Sequence, residues 1–432
     1  MLDIQFIRDN PQTVKEKSKQ KGYDVDIDKL LELDDKHQGQ IVELMLLQRK
    51  RNELTRAAKG QKPSEEKIKE GQVLREKIAR AEAKFRELDQ ELDALLKQIP
   101  NMPLDDVPVG KSEEENRVAK RWGDLKSYDF IPKQHWEIAE PKDLIDKERA
   151  AKISGSRFAY IKGDLVRLQF AIIQFVLQTL GDEKILEKLI EENHLNLVAK
   201  PFTPVLPPAM LRTEPYVASA RLNAEEVTYK IEQDDLWLNA SAEHTLCTMY
   251  WNEILPEDTL PIRYVGYSTS FRREAGTYGK DTEGIIRMHQ FDKLEMEVFS
   301  TPETGLDEHL LQVAIQEYLV QQLDLPYQVL QKCTADIGKP NARGIDIETW
   351  FPAQGKYRET HTADFMTDYQ ARDLKIRAKR KDGKIELVHT NDATAFALGR
   401  IMAAIMENNQ TADGHFVIPE VLREFMAGQT EI

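Results

Sequence analysis

The sequence predicts an α+β protein that opens with a helical hairpin, and three observations carry that expectation. Leu74, Ile78, Ala81, Phe85, Leu88, Leu92, Leu95 and Ile99 recur in an unbroken alternation of four and three residues. Leu30, Leu33, His37, Gln40, Leu44, Leu47, Arg51, Leu54 and Ala58 keep the same rhythm with three polar interruptions. Seams of this spacing supercoil paired helices. Gly60 and Pro63 break the pattern between them, so the chain should reverse there and run antiparallel, over about 28–99. Helices of about 30 residues would reach roughly 45 Å. Beyond the Pro-rich segment from Pro100 to Pro108, helical stretches (143–153, 163–180) alternate with strand-like runs (203–206, 262–267). That mixture suits an antiparallel sheet flanked by helices. The domain boundary is expected there, with 1–107 as one domain and 108–432 as the other.

Charge separates the two parts. The chain carries a net charge of −14, which argues against indiscriminate coating of nucleic acid such as DNA. Yet residues 47–86 hold 13 Lys and Arg against 6 Glu and no Asp. Arg49, Arg51, Arg56 and Lys59 lie toward the expected tip, with Arg75 and Arg80 on the second helix. A basic helical lever suits a structured phosphate backbone. A plain dimerisation coiled coil with a solvated charged surface is the alternative. Cys247 and Cys333 form no CxxC pair, so neither a disulfide framework nor a zinc site is expected, and a reducing cytoplasm fits. There is no apolar run of membrane-spanning length, and MLDIQFIRDN lacks the features of a signal peptide. Neither GxxxxGK[ST] nor GxGxxG after a strand occurs, so nucleotide chemistry would have to use side-chain cations.

The stretch from Phe271 to Glu295 is the most informative. Two strand-like runs, 262–272 and 284–299, flank a loop rich in Gly, Asp and Thr. On the second, Arg287, His289, Phe291, Lys293 and Glu295 should alternate to one face. Such a face makes a poor core and a good site for a polyanion with a flat base and an amino group. A solvated hairpin face is the bland alternative.

FRREAG...GIIRMHQFDKLEME resembles motif 2 of class II aminoacyl-tRNA synthetases in the form used by seryl-tRNA synthetases (about 262–299). FTPVLPPAML looks like motif 1 (about 201–211), and FALGRIMAAIMENNQ looks like the end of motif 3 (about 389–408). MLDIQFIRDNPQTVKE and SGSRFAYIKGDLVRLQFAIIQF resemble the family's amino terminus and the entry to its catalytic domain.

The resemblance implies a class II catalytic domain, a cytoplasmic homodimer joined through motif 1, ATP as substrate with Mg²⁺, and L-serine as the amino acid. It implies that the hairpin grips the long variable arm of tRNA(Ser), with the selenocysteine tRNA as a further candidate. Carried over by motif, Arg272 would hold the α-phosphate, Phe291 would stack on adenine and Arg400 would press on the nucleotide's other side. Arg273, Glu274, Met288, His289, Gln290, Thr360 and His361 complete the implied ATP site. Glu359 and Thr362 would hold the magnesium. Ser241, Ala242, Glu243, Arg272, Glu295 and Thr394 would bind serine. The competing structural roles are core packing for Phe291, a surface ion pair for Arg400, and a salt bridge from Glu359 to Arg358 or Arg372.

Departures cluster around the implied pocket. Ser241 replaces a usual threonine, Thr360–Met366 stands where the family reads ISSCSNC, and Val217–Arg221 replaces a GTGQ-like segment. Asp392 falls where an asparagine is expected, so either a neighbour such as His361 offsets its charge or it points away. An amino-acid-activating paralogue should have lost the basic arm. A non-catalytic homologue should have lost Arg272, Glu295, Glu359 or Arg400. The arm is basic and all four residues are present.

Overall fold

The computed structural model describes residues 1–57, 64–222, 227–274 and 283–432. It divides into two compact units, Met1–Met102 and Pro103–Ile432, and the division falls inside the Pro-rich segment.

The first unit begins with two short helices, α1 (Ile4–Asp9) and α2 (Pro11–Gln20). The Asp3 carboxylate caps α1 by accepting from the Gln5 and Phe6 amides, which would otherwise have no partner at a helix start. Two long helices follow, α3 (Ile27–Ala57) and α4 (Glu65–Leu96), packed against each other. Ser64 caps α4, and Glu65 and Glu66 in its first turn complement the helix dipole. Leu30, Leu33, Leu74, Ile78, Ala81 and Leu92 are buried along the seam. Two of the three polar interruptions find partners: the His37 ring stacks on Phe85 at 4.9 Å with its Nε2 3.2 Å from Asp89, and buried Gln40 donates to Glu43; the third, Arg51, is exposed. Arg49, Arg51, Arg56, Arg75 and Arg80 are all exposed. Ala58, Lys59, Gly60 and Pro63, and with them the expected point of reversal, lie outside the described residues.

The second unit is built on eight strands. They are β1 (Arg117–Trp122), β2 (Thr203–Val205), β3 (Ile262–Phe271), β4 (Gln290–Ser300), β5 (Tyr327–Gln331), β6 (Arg343–Phe351), β7 (Lys356–Thr367) and β8 (His389–Ala397). Their order is β1-β5-β6-β7-β8-β4-β3-β2, antiparallel throughout except that β2 runs parallel to β3. Four helices matter for the site: α5 (Asp164–Gly181), α6 (Ala242–Leu246), α7 (Gly305–Gln322) and α8 (Leu398–Asn408). Leu294, Met296 and Val298 of β4 join Leu168 and Phe175 of α5, Leu311 and Ile315 of α7 and Ile401 and Ile405 of α8 in one core. Side chains alternate along a strand, so Phe291, Lys293, Glu295 and Glu297 are directed to the opposite face.

That strand starts later than the sequence suggests. Gly284–His289 is turn and bend, so only the residues from Phe291 onward alternate as expected. The His289 amide donates to the Arg157 carbonyl, and its ring Nδ1 lies 2.9 Å from the Arg272 carbonyl, a contact made by a distant part of the chain. Those bonds hold His289 to the backbone rather than to the sheet face.

Two close approaches need glycine. A Cβ on Gly266 would come within 2.7 Å of Leu246, so glycine there lets α6 lie against β3. A Cβ on Gly399 would meet the Ile285 carbonyl at 2.6 Å, so the start of α8 can approach the segment before β4. A buried bidentate pair, Arg263 to Glu308 at 2.8 Å through both nitrogens, ties β3 to α7.

Candidate active site

The polar face of β4 meets three other chain segments at one cleft. The end of β3 brings Arg272, β7 brings Glu359 and Thr362, and β8 running into α8 brings Thr394 and Arg400. Two register shifts aim these side chains. One between Ile347 and Glu348 puts Glu359, rather than its neighbour Thr360, opposite Glu348. The other sets Glu295 opposite Thr394 and Glu297 opposite Asp392. Extra residues of this kind re-aim side chains at functional sites.

One end of the cleft is cationic and aromatic. The Arg272 guanidinium lies 5.3 Å from the Phe291 ring centre, and its Nε donates to the Ala240 carbonyl at 3.1 Å. Arg400 donates to the Glu359 carbonyl at 2.9 Å and contacts its carboxylate at 3.0 Å. Burial pushes Glu359 upward, but Arg400, Lys332 and Arg272 outweigh it and hold the carboxyl at about 2. It is therefore ionised at neutral pH, with about half of its side chain (48 %) exposed. Arg358 donates to Gln354 and Arg372 pairs with Asp368, so Arg400 is the partner of Glu359 that the structure shows. Arg287 pairs with Glu274 at 3.3 Å along the same wall.

The other end is a buried clamp of carboxylates. Ser241 Oγ sits 3.2 Å from Glu243 and 3.3 Å from Glu295, and Thr394 donates to Glu295 at 3.4 Å. The Lys293 ammonium reaches into it, 2.5 Å from Glu295, 3.1 Å from Ser241 and 3.8 Å from Glu243. Burial raises Glu295 to about 7 against the pull of Lys293. For Glu243 the balance reverses: burial raises it, but Arg221 and Lys293 together hold it well below the usual range.

The charge of Asp392 is met by Arg221. The guanidinium of Arg221 bonds directly to the Asp392 carboxylate and also contacts Glu243 at 3.5 Å. His361 does not supply the offset, because burial drives its pKa down to about 3 and leaves it neutral beneath Phe396. The two departures from the family pattern, 171 residues apart, thus meet as one buried ion pair.

Not every expected residue reaches the cleft. Arg272, Glu274, Met288, Phe291, Glu359, Thr360, Thr362, Thr394 and Arg400 line it. Ser241, Glu243 and Glu295 form the buried clamp behind Lys293, with Ala242 fully buried at the head of α6. Arg273 packs over the Tyr229 ring, His289 turns to the Arg272 backbone, and Gln290 lines a neighbouring hollow with Phe158 and Gln169. Glu359 and Thr362 present hard oxygen atoms, and an ionised, partly exposed carboxylate fits magnesium.

Residues 1–103 match the family model for the seryl-tRNA synthetase N-terminal domain, and 228–409 match that for the class II tRNA synthetase core domain of the G, H, P, S and T enzymes. The chain belongs to the seryl-tRNA synthetases. It is 38 % identical to the serine–tRNA ligase of Exiguobacterium sp. AT1b over 100 % of this chain and 99 % of that one. The ligase of Nitrosopumilus maritimus is 36 % identical over the full length of both. Among solved structures, the seryl-tRNA synthetase of Pyrococcus horikoshii complexed with ATP superposes with a TM-score of 0.87 at 37 % identity, covering 100 % of this chain and 99 % of that one. The cytoplasmic enzyme of Naegleria fowleri in complex with AMP gives 0.84 at 27 %, covering 100 % and 98 %.

Sequence reasoning did not assign Arg221, Glu297 or Asp364 to the site, and placed Lys293 on the site face without giving it a role. Arg221 was visible as a lone arginine ending the small-residue run Val217–Ala220. Glu297 continues the Phe291–Lys293–Glu295 alternation by one step.

The buried pair gives a direct test. Arg221→Gln alone strands the Asp392 charge and should cost about 3–5 kcal/mol of unfolding free energy in urea. Combining it with Asp392→Asn should recover part of that loss, with a coupling of about 1–3 kcal/mol. Additive losses would show that the two groups do not depend on each other.

Proposed function

We propose that this protein activates L-serine with ATP to seryl-adenylate and then charges tRNA(Ser). The observation that carries the reading is a guanidinium-and-aromatic cleft with a carboxylate clamp buried directly behind its Lys293. A planar guanidinium matches phosphate oxygens, so Arg272 holds the α-phosphate while Phe291 and Arg400 cover the base and the opposite side of the nucleotide. In the clamp, Glu243 and Glu295 take the substrate ammonium. Ser241 and Thr394 order the pocket around it, and an acceptor for the substrate hydroxyl penalises alanine.

No catalytic acid or base is required. The serine carboxylate attacks the α-phosphorus in line and pyrophosphate departs, so the residues act by positioning and by neutralising charge. Glu359 and Thr362 would hold Mg²⁺, which would supply further neutralisation of the phosphates. The terminal ribose hydroxyl of the tRNA then takes the seryl group. The basic helices carry Arg49, Arg51, Arg56, Arg75 and Arg80 to the long variable arm, Lys59 in the connecting sequence adds to their charge, and the selenocysteine tRNA is a second candidate. The segment 201–211 joins two copies in a homodimer, since twofold dimers are the commonest soluble oligomer, and the enzyme works in the cytoplasm.

The direct test is ATP–pyrophosphate exchange driven by serine without tRNA. Exchange should depend on serine, and kcat/KM should climb as pH rises through about 7, because Glu295 must lose its proton to accept the ammonium. A flat profile between pH 6 and 8 would remove Glu295 from that role. Exchange driven by another amino acid and not by serine would replace the substrate.

Deleting Gln48 to Lys84 and closing the hairpin with a short turn should leave exchange largely intact while tRNA charging falls by about 10²-fold or more. Neutralising Arg49, Arg51 and Arg56 should reduce the salt dependence of tRNA binding by roughly one log–log unit for each phosphate that is no longer neutralised. Unchanged tRNA affinity would reduce the arm to a structural element.

A further inference from the structure

The amino-acid end of the cleft holds more carboxylate than serine uses. Glu243, Glu295 and Asp392 each bring an oxygen into one cluster, all within 4.8 Å of one another, and all three residues are buried. Behind the cluster, Glu297, Asp392 and Asp364 sit directly opposite one another on β4, β8 and β7. Directly paired residues of neighbouring strands share a face at about 5 Å. Neither oxygen of Glu297 has a hydrogen-bond partner among the described residues, and Asp392 and Asp364 each leave Oδ1 without one. Within this group, the side-chain cations in contact with the carboxyls are Arg221 and Lys293. Among the described residues, two cations and the His244 ring, 3.3 Å from Glu243, face five carboxyls, and the pocket is left short of donors.

We infer that the pocket activates, besides serine, an α,β-diamino acid, in which an ammonium stands where serine has its hydroxyl. The inference rests on reading this end of the cleft as the amino-acid site. A β-ammonium and a β-hydroxyl each add one heavy atom, so a pocket shaped for serine excludes neither on size. Selection then falls to charge and hydrogen bonding. An asparagine at position 392 would present a donor as well as an acceptor, and its NH₂ would oppose an ammonium. Asp392, when ionised, presents acceptors alone, and its free Oδ1 lacks the donor that such a substrate brings. The reaction is unchanged: the α-carboxylate oxygen bonds to the α-phosphorus of ATP, the bond to pyrophosphate breaks, and pyrophosphate leaves with the electron pair. The β-ammonium takes no part in bond making.

The experiment is pyrophosphate exchange on the full-length protein with L-2,3-diaminopropionate, L-serine and L-alanine. Diaminopropionate should drive exchange at least about 100-fold above alanine, the size of effect expected when a buried acceptor gains or lacks its donor. Asp392→Asn should lower the diaminopropionate-to-serine ratio of kcat/KM by about tenfold or more, the effect of replacing a charged partner by an amide. Serine exchange with diaminopropionate no better than alanine overturns the inference and leaves the serine reading standing. Diaminopropionate exchange without serine exchange does the reverse, and silence with both overturns both. A ratio unchanged in Asp392→Asn removes Asp392 as the cause and overturns the inference as argued. Should that variant fold poorly, the parent protein's diaminopropionate-to-alanine comparison decides.

Discussion

Charge buried on a sheet face has to be paired or neutralised, and the catalytic unit is arranged around that constraint. Lys293, Glu295 and Glu297 on β4 lie opposite residues of β3 and β8 that a purely apolar core would have filled with aliphatic side chains. An isolated ion in such a place would cost several kcal/mol or would change its protonation state. Lys293 against Glu295 and Arg221 against Asp392 avoid part of that cost. Burial raises Glu297, whose carboxyl makes no hydrogen bond among the described residues, well above the usual carboxylate range, and that neutralises charge where pairing is missing. The apolar face of the same strand secures the arrangement, because Leu294, Met296 and Val298 are locked into the core and a one-residue slip would exchange the two faces.

The same logic explains the division of labour within the cleft. Glu359 is held ionised by three cations and is partly exposed, which suits a site that receives phosphates and a metal. Glu295 is fully buried and titrates near neutrality, which suits a site that receives an ammonium. The two glutamates are pushed in opposite directions, which agrees with the roles proposed for them. The Lys293 ammonium, seated in the clamp, shows by its own contacts that Ser241, Glu243 and Glu295 can surround a cation.

Much of this was legible in the sequence wherever a short period controls the structure. The seam from Leu74 to Leu92 was readable because helical spacing is local, and the face from Phe291 to Glu295 because strand alternation is local. His289 was misplaced on that face because its ring bonds the Arg272 carbonyl and its amide the Arg157 carbonyl, while Arg287 lies before the strand and still lines the cleft, paired with Glu274. The partner of Asp392 was not readable at all. Nothing local links it to Arg221, and only the sheet and the segment after Val217 bring them together. The register shifts that aim Glu359 and Glu295 are likewise properties of paired strands, which a single strand's sequence does not reveal.

The most direct measurement is a crystal structure with a non-hydrolysable seryl-sulfamoyl-adenosine bound. The account predicts the ligand's ammonium within hydrogen-bond distance of Glu243 or Glu295, its sulfamoyl group on Arg272, and its adenine against Phe291. A ligand whose ammonium stays clear of both glutamates, or whose base occupies the neighbouring hollow beside Phe158 and Gln169, would contradict it.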